Sequence, residues 1–364
     1  MKRGPLSGVR VIEFSALGPV PFCAMLLADM GADIVRIARP GTRTDADDFM
    51  QRGRRIVPLD LKSPADRHTA LELVGHADIV LEGSRPGVME KLGLGPDVCL
   101  ARNPRLVFGR MTGWGQTGPL AATAGHDINY IALAGALDAI GPANGAPVPP
   151  LNLLGDYGGG AMFLAFGALC ALWEARNSGE GQVIDAAMVD GTATLMSLFC
   201  KLSGLGQWND SRGTNLLDGG APWYDTYRTQ DNRYVAVGAI EEPFWQLLLT
   251  QLEIPSDSLP PRSDKTGWPV IRAALAERFS SLPRDAWAAH FRNSDACVSP
   301  VLSLHEAARH EHMAARGSYG VDSDMLRPAP APRLSRTPAI PAGISEVSSA
   351  DLVLEGWRGG MAKR

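Results

Sequence analysis

Short, almost wholly apolar runs alternate with helical stretches through the first 112 residues. Val9-Arg-Val-Ile-Glu-Phe14, Asp33-Ile-Val-Arg-Ile-Ala38, Arg55 to Leu61, Ala77 to Glu82 and Leu106 to Met111 read as strands. Between them, Pro21 to Gly31 reads as a helix opened by proline and closed by glycine, and Ser63-Pro64 caps a helix running to Gly75. Strands separated by such helices imply βαβ units, so the expected fold is α/β with a doubly wound parallel sheet. A further helix, Tyr157 to Glu174, is apolar nearly all round and is expected to be buried. Its uninterrupted apolar stretch, Ala161 to Trp173, falls short of the roughly 20 residues that span a bilayer.

The pattern changes after a glycine-rich connector from Leu202 to Ala221. A new strand, Tyr234 to Ile240, is followed by helices over Trp268 to Phe279 and Arg284 to Asn293, which makes a second, smaller α+β module. Pro328-Ala-Pro-Ala-Pro332 to Pro341 reads as an extended linker, and no internal repeat is present. The expected division is a large domain over 1–200, a linker over 201–224, a small domain over 225–308 and a return segment over 309–364.

Composition narrows the function classes. The 364 residues carry 35 Lys and Arg against 39 Asp and Glu, a formal charge of −4, so no general basic field recruits nucleic acid or an anionic membrane. Five scattered cysteines without a C-x-x-C pair suggest neither a disulfide framework nor a zinc knuckle, and a reducing cytoplasm fits them. The first residues lack a signal-peptide pattern, and Met361 to Arg364 is no peroxisomal address. The turn Phe14-Ser-Ala-Leu-Gly18-Pro-Val-Pro21 has one glycine where a dinucleotide fingerprint needs G-x-G-x-x-G, and no Walker A sequence exists.

Glycine is in surplus, 40 residues in all, and eleven of them fall between Gly113 and Gly160. They frame two helix starts that carry His126 and Asp156. A helix N-terminus favours the neutral imidazole a general base needs, although a capping or buried structural histidine would also suit that place. Asp156 has the residue type of an N-cap, but the three glycines after it are more than a cap requires and suit a ligand pressed against the backbone. Glu241 ends the small-domain strand and is either a functional acid or the N-terminal acid of a helix starting at Pro243. His305, His310 and His312 miss H-E-x-x-H spacing, so no metal site is expected. Arg36, Arg39, Arg54, Arg55, Lys62, Arg85 and Lys91 recur beside strand ends, where together they could hold the phosphates of a carrier such as coenzyme A.

These motifs resemble a known family. Leu6-Ser-Gly-Val-Arg-Val-Ile-Glu13, Gly31-Ala-Asp-Ile-Val-Arg36, Leu59-Asp-Leu-Lys62, Arg85-Pro-Gly-Val-Met89, Thr112-Gly-Trp-Gly-Gln-Thr-Gly-Pro119, Gly125-His-Asp-Ile-Asn-Tyr130, Gly155-Asp-Tyr-Gly-Gly-Gly160 and Asp218-Gly-Gly-Ala-Pro-Trp-Tyr-Asp225 follow the order seen in family III CoA transferases and, among them, the α-methylacyl-CoA racemases. The resemblance implies a large domain built from both termini, so that the return segment packs on it, and two chains interlocked as a homodimer. It implies His126 and Asp156 as acid/base residues with Glu241 nearby. It also implies CoA held by Arg36, Arg39, Leu59, Lys62, Gly83, Ser84, Arg85, Lys91, Gly125, Asp127 and Tyr130. The implied reaction interconverts the stereoisomers of 2-methylacyl-CoA thioesters through an enolate stabilised by a backbone N–H near Asp156, with no cofactor beyond the CoA of the substrate. The alternative is a CoA transferase in which Asp156 forms an aspartyl-CoA thioester. Gly83-Ser84 and Arg54-Arg55 depart from the family's commoner residues beside the implied CoA region.

Overall fold

The structure, a computed structural model, describes residues 4–42, 48–322, 325–339 and 341–359, without the side chains of 321 and 322. Its strands are β1 Arg10–Phe14, β2 Asp33–Ala38, β3 Arg54–Pro58, β4 Ile79–Glu82, β5 Val107–Thr112, β6 Gln182–Ala187, β7 Tyr224–Arg228, β8 Tyr234–Gly238, β9 Val298–Pro300, β10 Tyr319–Asp322, β11 Met325–Pro328 and β12 Glu346–Val347. Contacts divide the chain into two units. One takes the described residues of Met1–Ala136, Pro150–Ser197 and Gly317–Arg364; the other takes Leu137–Pro149 and Leu198–Arg316. The segment 137–149 thus groups with the second unit and not with the first 200 residues, and the expected linker 201–224 belongs to the second unit's body.

The first unit holds a seven-stranded parallel sheet in the order β12-β3-β2-β1-β4-β5-β6. Its inner strands are buried on both faces, which is why they read as continuous apolar runs rather than alternating ones. Val11, Ile34, Ile79, Leu81 and Val107 pack on one side with the helices Pro19–Asp29 and Met162–Ser178. Their neighbours Ile12, Val35, Val80 and Phe108 pack on the other with the helices Pro64–Val74 and Ala350–Gly359. The return segment reaches this second core through Val353, Leu354 and Trp357, and Trp357 Nε1 donates to Asp33 Oδ2 at 2.7 Å.

Ser63 does cap its helix, accepting the Asp66 N–H through Oγ at 3.4 Å with Pro64 at the first helical position. The expected burial of the long apolar helix does not hold. A π-helical segment, Leu153–Ala161, runs directly into the α-helix Met162–Ser178, giving one 26-residue helix long and apolar enough to cross a membrane by length and composition. Only one side of it faces the sheet. Met162, Phe166, Leu169 and Trp173, spaced four, three and four apart, form an exposed stripe on the other side, with Phe166 68% and Trp173 71% exposed.

The second unit is built on the antiparallel sheet β7-β8-β9. Trp223, Tyr227, Val235, Val237, Trp245, Leu248, Leu275, Phe279 and Trp287 form its core with the helices Glu242–Gln251, Trp268–Phe279 and Arg284–His290.

Candidate active site

Strand order reverses between β1 and β4, and loops leaving the carboxyl ends of neighbouring strands separate there, which is where open parallel sheets bind ligands. A cleft of about 270 Å³ opens at this point. Leu17 lines it from the loop after β1, Pro19 and Val20 from the first turn of the helix Pro19–Asp29, Gly83 to Pro86 from the loop after β4, and Met111 to Trp114 from the end of β5 and the loop after it. Ala121, Thr123, Ala124, Gly125, His126, Tyr130 and Met188 complete the wall.

His126 ends the loop before the helix Asp127–Leu133 in extended backbone, φ −134° and ψ 173°. Its N–H donates to Asn129 Oδ1 at 3.0 Å, so a side chain of the first turn satisfies the backbone while the exposed ring stays on the cleft wall. That helix buries Asp127, Tyr130 and Ile131, whereas Ile128 is 43% exposed.

Asp156 is not an N-cap. It lies in the first turn of the π-helical segment, and its position is set by three neighbours. The buried Asp127 carboxylate accepts the Asp156 N–H through Oδ2 at 2.7 Å. Asn152 Nδ2 donates to Asp156 Oδ2 at 3.3 Å. Gly18, at φ 67° and ψ −114°, presses its backbone so close that a Cβ there would stand 3.3 Å from the same Oδ2. Burial pushes the Asp156 carboxyl above its ordinary value; the Asn152 hydrogen bond pulls it down, Asp127 pushes it further up and His126 draws it down. Asp156 therefore feels the His126 charge.

The glycines do two kinds of work. A Cβ on Gly113 or Gly125 would run into the Tyr130 ring, 2.0 and 2.7 Å away, and Tyr130 meets Trp114 edge-on at 4.8 Å. These two glycines let the cleft's aromatic floor approach the backbone. The run Gly158 to Gly160 answers to packing within the protein: Gly159 lies against Thr192, and a Cβ on Gly191 would fall 1.8 Å from the Gly159 carbonyl oxygen. The run thus admits the helix Met188–Leu195, which explains it without the ligand expected from the sequence.

Of the residues expected to hold CoA, Gly83, Ser84, Arg85, Gly125 and Tyr130 are brought together with His126 in the cleft. Asp127 is buried beneath Asp156 instead of lining it. Arg36 is buried, 3.4 Å from Glu13 Oε1 and donating to Ser15 Oγ at 3.0 Å. Arg54 is fully buried on Glu13 and the carbonyl oxygens of Pro21 and Met50, and Arg55 pairs with Asp33 at 2.6 Å. Leu59 lines a separate depression with Val57, Val347 and Leu352, while Arg39, Lys62 and Lys91 are exposed outside the cleft lining. Leu17, Met111, Trp114, Met188 and Asn152 were not singled out as site residues by sequence reasoning. Only Asn152 carried a usable signal, its place four residues before Asp156 near a helix start.

Glu241 belongs to the second unit. It stands at the N-cap of the helix Glu242–Gln251, as the N-terminal acid of that helix, and is exposed with no side-chain capping hydrogen bond. His310 accepts the His312 N–H through Nδ1 at 3.3 Å at the start of a short helix, Glu311–Ala315.

The chain is 45% identical over 351 residues to the α-methylacyl-CoA racemase of Mus musculus, covering 96% of this chain and 92% of that one. It is 46% identical over 338 residues to the α-methylacyl-CoA racemase of Homo sapiens, covering 93% and 88%. A solved CaiB/BaiF family protein from Brucella suis superposes at a TM-score of 0.83 and 22% identity, covering 97% of this chain and 99% of that one, which speaks to the fold. Residues 6–344 match CoA-transferase family III, and the chain belongs to that family.

Proposed function

We propose that the chain is an α-methylacyl-CoA racemase, interconverting (2R)- and (2S)-2-methylacyl-CoA thioesters by removing and returning the α-proton. The observation that carries this reading is the pairing of His126, on the wall of the switch-point cleft, with Asp156, whose carboxyl titrates above its ordinary value and feels the His126 charge. Similarity to two racemases over nine-tenths of the chain supports the same reading. A CoA transferase would use Asp156 as nucleophile and leave His126 without a task.

Racemisation needs two groups, because a single base tends to return the proton to the face it left. In one direction neutral His126 takes the α-proton and protonated Asp156 supplies the other face; in the reverse direction ionised Asp156 takes it and the imidazolium supplies it. Burial raises the carboxyl pKa, which favours the protonated form that acts as the acid. The enolate oxygen requires a donor. The Asp156 N–H is engaged by Asp127, so that role passes from the Asp156 backbone to N–H groups at the start of the helix Asp127–Leu133, beside His126. Glu241 acts as an auxiliary acid. Arg85, with Gly83 and Ser84, holds the CoA portion at the cleft, and Arg39, Lys62 and Lys91 hold its phosphates along the surface.

The working form is an interlocked homodimer that covers the apolar stripe Met162, Phe166, Leu169 and Trp173 against another chain, not against lipid. Five unpaired cysteines agree with a reducing, cytoplasmic location, and no cofactor beyond the substrate's CoA is used.

Incubation with a single stereoisomer of a 2-methylacyl-CoA in D2O tests the reading. Loss of stereochemical purity with α-deuterium incorporation is expected. Deuterium-free, unchanged substrate, or a hydroxylamine-sensitive CoA adduct on Asp156 that depends on an acceptor acid, would overturn it.

A further inference from the structure

The start of the helix Glu242–Gln251 is pinned by a side chain from a distant loop. Arg262 Nη1 donates to the Ile240 carbonyl oxygen at 2.8 Å and, more weakly, to that of Ala239 at 3.4 Å. Its Nη2 pairs with Glu242 Oε2. The guanidinium itself rests against two indoles packed edge to face, 4.9 Å from the Trp223 ring and 5.4 Å from the Trp245 ring, and the Arg262 carbonyl accepts the Trp268 Nε1–H at 2.9 Å. Both ring contacts fall within the range of cation–π attraction. The residues immediately before and after Glu241 are thus tied to one planar group that is packed into the unit's aromatic core.

Glu241 is left out of this network. Its side chain is exposed, and no hydrogen bond from it is found among the described residues, although its neighbour Glu242 is bound to both Arg262 and Gln246. A clamp on residues 239, 240 and 242 that spares 241 fixes where the Glu241 backbone stands without consuming its carboxylate. A lysine could not do this, because only the guanidinium fork donates to two directions in one plane while stacking on a ring.

We propose that Arg262 is a positioning residue that holds Glu241 in its working place; the proposal rests on the auxiliary role given to Glu241 above. A misplacement of about 1 Å can lower turnover by roughly a hundredfold without changing ground-state binding. Arg262 therefore acts on kcat and not on KM.

The test is a double-mutant cycle read by α-proton exchange of a 2-methylacyl-CoA in D2O, with the full chain and with circular dichroism as a fold check. Arg262→Ala is expected to lower kcat about tenfold or more with KM within about twofold, Arg262→Lys to recover only part of it, and Arg262→Ala combined with Glu241→Gln to be no slower than Glu241→Gln alone. Should Arg262→Ala fail to fold, Glu242→Gln breaks the ion pair and leaves the indole packing intact; it is expected to lower kcat in the same sense and to be non-additive with Glu241→Gln. Full kcat in Arg262→Ala or Glu242→Gln, or losses that multiply in the combined variants, would overturn the proposal while Glu241→Gln remains impaired. An undiminished Glu241→Gln overturns the Glu241 reading itself, and the proposal with it.

Discussion

Asp127 Oδ2 accepts the backbone N–H of Asp156 at 2.7 Å, joining the residue after His126 to a residue 29 positions along the chain. The bond ties the helix that follows His126, which lines the cleft, to the turn that carries Asp156, which lies outside the cleft lining. It also places a negative charge where it disfavours ionisation of the Asp156 carboxyl.

Asp127→Asn keeps an acceptor for the N–H but removes the charge. Asp127 raises the Asp156 pKa, so its neutralisation lowers it, and the limb of the pH–rate profile that Asp156 carries moves to lower pH. Asp127→Ala removes the acceptor as well and leaves a half-buried donor without its partner, which costs about 1 kcal/mol of stability. Profiles of kcat/KM against pH for the two variants, together with urea midpoints, check both statements; an unmoved limb in Asp127→Asn would sink the first.

Gly18 holds a second constraint on the same carboxylate. Its φ of 67° and ψ of −114° lie where side-chain-bearing residues are strained, and a Cβ would press on Asp156 Oδ2. Gly18→Ala should lose about 1–3 kcal/mol of stability from the backbone and, in addition, slow turnover by displacing Asp156. Thermal unfolding and exchange rate measured on the same preparation separate the two effects, and a variant of unchanged turnover would refute the second.

The glycine run after Asp156 makes a stability prediction of a different kind. Gly191 meets the Gly159 carbonyl oxygen so closely that a methyl group would overlap it at 1.8 Å, and the listener to that clash is backbone, which cannot rotate away. Gly191→Ala is therefore expected to destabilise by about 3 kcal/mol or more, against about 1 kcal/mol for Gly179→Ala, where a Cβ meets nothing and the φ of +85° alone sets the strain. Urea midpoints of Gly191→Ala below those of Gly179→Ala would bear this out; the reverse order would refute the packing account.

How far the sequence was readable follows from where each cause lies. The strands β1 to β5 were readable because burial on both faces writes an apolar run into a few consecutive residues. The helix after Ser63-Pro64 was readable because its capping partner is three residues away. The glycine run misled because its cause, Gly191, lies some thirty residues on, and a lone stretch of sequence cannot tell a neighbouring helix from a ligand. Arg36, Arg54 and Arg55 misled for the same reason: the sequence displays their charge, but not that Glu13 and Asp33 already hold it. Asp127 was placed among CoA contacts, and its bond to Asp156 is invisible without the fold that brings the two segments together.

The exposed stripe Met162, Phe166, Leu169 and Trp173 gives the last prediction. An apolar helix whose far side carries two large aromatics at 68% and 71% exposure would cost solubility unless covered, and burying them recovers roughly 25 cal/mol for each Å² removed from water. If a second chain is the cover, a charge on the stripe must be desolvated to keep the pair together, whereas on a free surface it would be harmless. Trp173→Glu and Phe166→Glu are accordingly expected to shift sedimentation from a dimer to slower-moving monomer or to aggregate, and to lower turnover in step with the loss of dimer. A wild-type chain that sediments as a monomer, or charged variants that remain fully dimeric, would show that the stripe is not where the two chains meet.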